Sequence, residues 1–317
     1  MRKTKNITLF AVIVISGIFN LAAAQVTEAE GTLKKQAFDT VAGWKTGGVT
    51  NLAFSQTSLT NWAAGGEDFT MSANGLFSVF ANYKKKNMAW DNSLDIGYGR
   101  LWQGKGDEAI NKKTDDKIDF LSKYGQLAFK NVYYAGMVNF KTQMDEGYNY
   151  PNDSVAISKF LAPAYLTVAI GLDYKPNSYF SAFAAPLTGK VTFVTDEVLS
   201  NAGAFGVDSG KVSKKEFGGY IRMIYSKNDF KNEFLKNIAF TTKVDLFSNY
   251  LKNPDCIDIS WETQIAMKVN KYISVNLNTH LLYDDDIRFD VVENNVTKKT
   301  PKVQFKEILG IGFSYKF

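Results

Sequence analysis

From Trp44 to the last residue, apolar and polar positions alternate along most of the chain with a period of two. Ile257, Ile259, Trp261, Thr263, Ile265, Met267 and Val269 take one side of a run whose other side reads Asp258, Ser260, Glu262, Gln264, Ala266 and Lys268. Val303, Phe305, Leu309, Ile311, Phe313, Tyr315 and Phe317 oppose Gln304, Lys306, Gly310, Gly312, Ser314 and Lys316 in the same way. This is the pattern of strands with one apolar and one polar face. It predicts about twelve: Trp44–Ser55, Phe69–Tyr83, Met88–Trp102, Lys117–Phe129, Val132–Met144, Ala162–Tyr174, Tyr179–Val194, Glu216–Tyr225, Ile238–Tyr250, Ile257–Val269, Ile273–Tyr283 and Val303–Phe317. The first, fourth, seventh and eighth alternate least cleanly, which leaves ten or fourteen open.

Alternation alone suits two solvents. The apolar face meets a second sheet in a water-soluble sandwich and lipid in an outer-membrane barrel, where the polar face lines the lumen. Length favours the barrel, because the clearest runs extend over about 13–16 residues, whereas soluble strands are usually about 5–6. The links favour it too. Short ones (Lys84–Asn87, Lys130–Asn131, Lys175–Ser178, Asn270–Tyr272) alternate with long ones (Gln56–Asp68, Gln103–Asp116, Asp145–Leu161, Asp196–Ser213, Asp284–Pro301), as turns and loops segregate to opposite sides of a membrane. Leu251–Cys256 is short and Ser226–Asn237 long against that rule. Two charges fall on apolar faces, Arg100 and Glu307, and both are placed at the outer rim, where a charge is tolerated. The fold class expected is an all-β antiparallel transmembrane barrel over residues 44–317.

The first 24 residues read as an export signal: Arg2, Lys3 and Lys5, an apolar run Ile7–Leu21, then Ala22-Ala23-Ala24. Residues 25–43 lack alternation and read as a periplasmic lead-in. Without the three signal-peptide cations the formal charge falls from +5 to +2, and the basic residues are dispersed, so no nucleic-acid partner is expected. Beyond the signal no run of eighteen apolar residues occurs, hence no spanning helix.

The chain closes on Gly310-Ile311-Gly312-Phe313-Ser314-Tyr315-Lys316-Phe317, which resembles the C-terminal assembly signal of bacterial outer-membrane barrels. That likeness implies Phe313, Tyr315 and Phe317 as the signal and the barrel-assembly machinery as a partner. A second resemblance lies after the first strand, in Ser55-Gln56-Thr57-Ser58-Leu59-Thr60-Asn61-Trp62-Ala63-Ala64-Gly65-Gly66-Glu67. It looks like the hallmark of an uncharacterised family of exported Bacteroidetes proteins, a domain of unknown function with a "QxSxxNWAAGGE"-like stretch. The resemblance implies an outer-membrane location in such bacteria and no established activity. Within this loop motif, which ends at Glu67, Gly65-Gly66 permits a turn with positive φ, and Trp62 beside Asn61 suits a lumen plug, an interfacial anchor or a binding loop.

Composition narrows the chemistry. One Cys (Cys256) and one His (His280) cannot build a four-ligand zinc site, a redox pair or a disulfide framework, and no cofactor is expected. His280 lies on the polar face and is followed by Leu281-Leu282, without the lipid-facing His-x-Ser pair in which outer-membrane phospholipases resemble one another, so the chain is not read as an enzyme. Lys243 and Asp245 face inward on the ninth strand and Glu262, Gln264 and Lys268 on the tenth. With a tight Leu251–Cys256 link, Asp245 is expected near Glu262 and Lys243 diagonal to both, as a lumenal charge cluster that tunes solute passage or simply fills a narrow barrel. Asp284-Asp285-Asp286 opens the last long loop as a candidate for Ca²⁺ or for cations bridging lipopolysaccharide, weighed against a plain solvated acidic loop.

Three functions stand: a narrow outer-membrane channel or transport component without catalysis, in contact with outer-membrane lipid and lipopolysaccharide; a closed structural barrel docking other envelope proteins through its outer loops; and a soluble periplasmic β-sandwich carrier.

Overall fold

The computed structural model describes residues 42–59, 69–104, 109–150, 152–270, 273–293 and 296–316. The export signal, the lead-in up to residue 41, the stretch Asn61–Glu67 and Phe317 lie outside the described residues. Sixteen strands follow in order: β1 (Gly43–Ser58), β2 (Phe69–Lys85), β3 (Met88–Gln103), β4 (Ile110–Phe129), β5 (Val132–Thr142), β6 (Gly147–Tyr148), β7 (Ala156–Ser158), β8 (Ala164–Tyr174), β9 (Phe180–Phe193), β10 (Ser213–Lys227), β11 (Ile238–Asn249), β12 (Ile257–Lys268), β13 (Ser274–Tyr283), β14 (Arg288–Glu293), β15 (Val296–Pro301) and β16 (Gln304–Lys316).

Twelve of them form one closed antiparallel barrel in the ring order β1-β16-β13-β12-β11-β10-β9-β8-β5-β4-β3-β2. The seam is made by the first and last strands, with Leu52 opposite Phe313 and Val49 opposite Lys316. All twelve predicted strands are present; the soluble sandwich is not, since one sheet closes on itself. The remaining strands form two small ribbons in the long loops, β6 with β7 and β14 with β15. The fourth strand starts at Ile110 rather than Lys117, because Asn111–Asp116 continue to pair with β3, so the Gln103–Asp116 link is largely strand.

The outward face carries the apolar rows. Leu52, Phe54, Trp261, Phe305, Leu309 and Ile311 are all exposed, Leu309 to 64%. At the short-turn end, Trp44, Tyr83, Trp90 and Tyr124 lie opposite one another across β1, β2, β3 and β4. The Trp44 ring stands 5.2 Å from Tyr83 and 5.7 Å from Trp90, an aromatic row of the kind that marks a membrane interface. Glu307 is exposed opposite Thr279. Arg100 is neutralised at the loop end by Asp145, and its Nε donates to the Tyr98 hydroxyl at 2.6 Å.

Pro186 interrupts β9 and explains a local irregularity. Lacking an N–H, it cannot donate to a neighbouring strand. The register shifts there against both neighbours, between Ile170 and Leu172 on β8 and between Gly218 and Tyr220 on β10. The bulge brings β8 and β9 so close that a Cβ on Gly171 would lie 2.0 Å from the Ala184 carbonyl oxygen. Gly171→Ala is therefore expected to part these strands and to cost roughly 1–3 kcal/mol, read as a lower urea midpoint of the barrel in detergent micelles; an unchanged midpoint would refute the close approach.

Candidate lumenal site

Inside the ring, the strand period that sends Leu and Ile outward sends acids and bases inward, where they form three layers. At the short-turn end Lys123 meets Asp173 at 2.7 Å, and Lys175 bridges Asp173 (3.3 Å) and Asp91 (2.6 Å). In the middle layer Arg222 grips Asp245 with two bonds of 2.6 and 2.8 Å, while the Tyr220 hydroxyl donates to the same carboxylate at 2.7 Å. Lys141 approaches Asp245 at 3.4 Å and Asp119 at 3.8 Å. Lys243 joins Asp119 (3.4 Å) to Glu262 (3.0 Å), and Lys117 reaches Glu262 at 3.5 Å. Toward the loops, Lys190 meets Asp258 at 2.7 Å, Asp284 at 3.6 Å and Glu216 at 3.7 Å.

The expected cluster is thus partly assembled and partly re-paired. Lys243, Asp245 and Glu262 share the middle layer, but Lys243 lies directly opposite Glu262 and Asp245 opposite Ser260. The pairing of Asp245 with Glu262 is corrected: the ladder begins at Ser248 opposite Ile257, so the loop shifts the register by two residues. Lys268, at the other end of β12, has no ion pair among the described residues. Of the partners that complete the layer, Asp119 and Lys141 come from strands too distant in sequence for a hairpin argument to connect, and Arg222 comes from the strand before β11, across a long link that leaves the register open; their inward parity was the available signal.

The three carboxylates of the last long loop diverge. Asp284 faces Lys190, Asp285 faces Arg288 at 3.6 Å, and Asp286 is held by Lys214 and Lys252. Among the described residues no group of His, Cys, Asp and Glu gathers to hold a metal ion. Burial pushes the Asp286 carboxyl up, but the hydrogen bond and charge of Lys214, with Lys252 beyond, hold it below its ordinary value. That anchor is therefore present above the usual carboxylate range and lost as pH falls through the lowered value.

His280 faces the lumen, with Nε2 2.9 Å from the Ser260 hydroxyl. Among the described residues no hydrogen bond orients Nδ1. The neighbouring backbone pairs in the β11–β12–β13 ladders. Phe313 is exposed on the outer face of β16; of Tyr315 only the strand position is described.

Among the described residues, cavities follow one another through the interior. One of about 170 Å³ lies by Asp91, Lys123 and Lys175, one of about 250 Å³ by Asn51, Lys117 and Asn278, and one of about 280 Å³ by Tyr165, Lys190 and Tyr283. Glu262 borders the first two, and Lys141 and His280 border the last two, so the middle layer is the partition between them.

A closed antiparallel ring, apolar outside and ionised within, defines a membrane-spanning β-barrel. Residues 54–148, from the end of β1 to the loop after β5, match the family described as Protein of unknown function (DUF3078). No curated protein matches the chain. Among solved structures, the chain is similar to an outer membrane channel from Pseudomonas putida F1, at 9% identity and a TM-score of 0.38, covering 88% of this chain and 97% of that one. It is also similar to outer membrane phospholipase A from Escherichia coli (9% identity, TM-score 0.33, 87% and 98% covered). A third likeness is to the P. putida toluene transporter TodX (11%, 0.30, 92% and 93%). Likeness this loose does not define an activity; the class follows from the chain's own ring of strands.

Proposed function

We propose that this protein is an integral barrel of a bacterial outer membrane, exported by its N-terminal signal, and that it acts as a narrow small-solute channel or transport component without catalysis. The carrying observation is the inverted polarity of a closed ring: rows of exposed Leu, Ile, Phe and Trp outside, and ion pairs on either side of cavities within. Twelve strands enclose an interior between the filled eight-stranded and the open sixteen-stranded cases, so side chains set the bore. In this reading the partition built on Arg222, Asp245, Lys141 and Lys243 is the constriction, Phe313, Tyr315 and Phe317 address the assembly machinery, and outer-membrane lipid and lipopolysaccharide surround the belt.

Current across a planar bilayer tests it. The wild-type barrel is expected to give small, discrete steps, and Lys141→Ala, which removes a side chain bordering two cavities, to give larger ones. Folded protein that carries no current in either form overturns the channel. The docking barrel would then gain ground, and it has one observation in its favour, the internal order of the outer loops. There the helix Glu197–Asn201 is capped by Asp196, whose carboxylate accepts from the Leu199 N–H and pairs with Lys159 at 3.0 Å. Ala162, Val194, Leu199 and Val207 form a small buried cluster beside it. Protein that stays dispersed without detergent would overturn both membrane readings.

A further inference from the structure

The two halves of the interior differ in kind. Along β4, β5 and β8–β11 the inward side chains pack on one another: Met137, Phe183, Tyr220 and Phe247 belong to one buried apolar cluster, with the middle ion pairs beside it. Along β12, β13, β16, β1 and β2, consecutive neighbours in the ring, carboxamides, hydroxyls and small residues face inward beside Glu262, His280, Lys306, Leu76 and Ile308. Asn51, Asn74, Gln264, Asn276 and Asn278 all line the cavity of about 250 Å³.

Charge in that cavity is already answered. On its far wall Lys117, Lys141, Asp119 and Glu262 are each paired within the middle layer. In that layer as a whole four bases (Lys117, Lys141, Lys243, Arg222) meet three acids (Asp119, Asp245, Glu262), a near balance that gives an ion little to gain. The amides are not all answered. Asn74 accepts from Thr114 at 3.1 Å, and Asn276 donates to Ser274 at 3.1 Å. Asn51 Oδ1 is buried and accepts nothing, while the half-buried side chains of Gln264 and Asn278 open onto the cavity and make no hydrogen bond among the described residues. Buried polar groups in folded proteins find partners, and those left over at a roomy polar cavity take them from water or from a solute. A carboxamide offers one acceptor and two donors, which matches the mixed donors and acceptors of a polyol. At about 30 Å³ of liquid volume per water, the space equals about eight waters, enough for one sugar ring.

We propose that this amide-lined cavity is a binding point for a neutral polyhydroxylated solute of monosaccharide size, held by Asn51, Gln264 and Asn278; the inference rests on the channel reading and names its class of solute. Saturation-transfer NMR on the detergent-solubilised full chain tests binding apart from conduction, with glucose, glucuronate and glucosamine as probes. Glucose is expected to bind saturably and more tightly than either charged analogue. Asn278→Leu is expected to weaken it about fivefold, as for one lost hydrogen bond. Asn278→Ser, shorter but still polar, replaces the leucine variant if that one does not fold, with the same direction expected. Absent glucose binding, equal binding of all three probes, or binding indifferent to Asn278 each overturn the inference; the first means that water alone fills the cavity, the second that the site does not select neutral solutes, and the third that glucose binds elsewhere. Bilayer current is recorded in parallel: current without glucose binding sinks the solute class and leaves the channel, whereas glucose binding without current supports the site and sinks the channel.

Discussion

Asp245→Ala is expected to lower the unfolding free energy of the barrel by about 3–5 kcal/mol, the cost of stranding a buried counter-charge. Asp245 is 7% exposed and Arg222 3%. The Asp245 carboxylate is held by the two bonds from Arg222 and by the Tyr220 hydroxyl, all of which lose their acceptor when it is removed. Removing it also leaves four bases facing two acids in the middle layer, so Lys141 and Lys243 repel Arg222 with fewer acids between them. The double change Arg222→Met with Asp245→Leu is expected to recover most of the loss, because an apolar pair of similar bulk avoids the desolvation cost that the ions bear. A urea series in micelles, followed by heat-modifiable migration on a gel, measures both. A single-variant loss below about 1 kcal/mol, the range of solvent-screened surface pairs, would show that the middle layer is hydrated rather than packed.

That layer also marks where the sequence stops being informative. Period-two alternation located every barrel strand, because each face meets one solvent and a slip of one residue would invert the whole row. Strand ends were less legible where the ladder continues past the membrane: Asn111–Asp116 are polar on both faces, yet they still pair with β3. The inward set was readable as a set, since Lys243, Asp245 and Glu262 share a parity that lipid would not accept. Which acid meets which base was not. Arg222 and Asp245 lie on neighbouring strands joined by a long link, and Asp119 reaches Lys243 across the lumen from β4. The Arg222–Asp245 contact depends on the register that the Ser226–Asn237 link allows, and the Asp119–Lys243 contact on closure of the ring. The open amides are harder still to read, since Asn51, Gln264 and Asn278 differ from Asn74 and Asn276 only in what stands beside them in three dimensions.

Leu309→Lys is expected to cost about 2–4 kcal/mol of folding into phospholipid vesicles and to slow insertion, because its side chain leaves the middle of β16 toward hydrocarbon. Leu309 is 64% exposed, which in water would make the substitution nearly free. Phe234, 86% exposed in the link between β10 and β11, is the control: it lies beyond the strand ends, so Phe234→Lys is expected to change stability by no more than about 0.5 kcal/mol, as for an ordinary surface site. The comparison turns on the solvent alone, since both positions are exposed and both receive the same charge. Equal effects at the two sites, measured by urea titration in vesicles, would mean that water rather than lipid surrounds the ring. The inward charges would then lose their reason, because a protein with water outside would place its ions there and its leucines within.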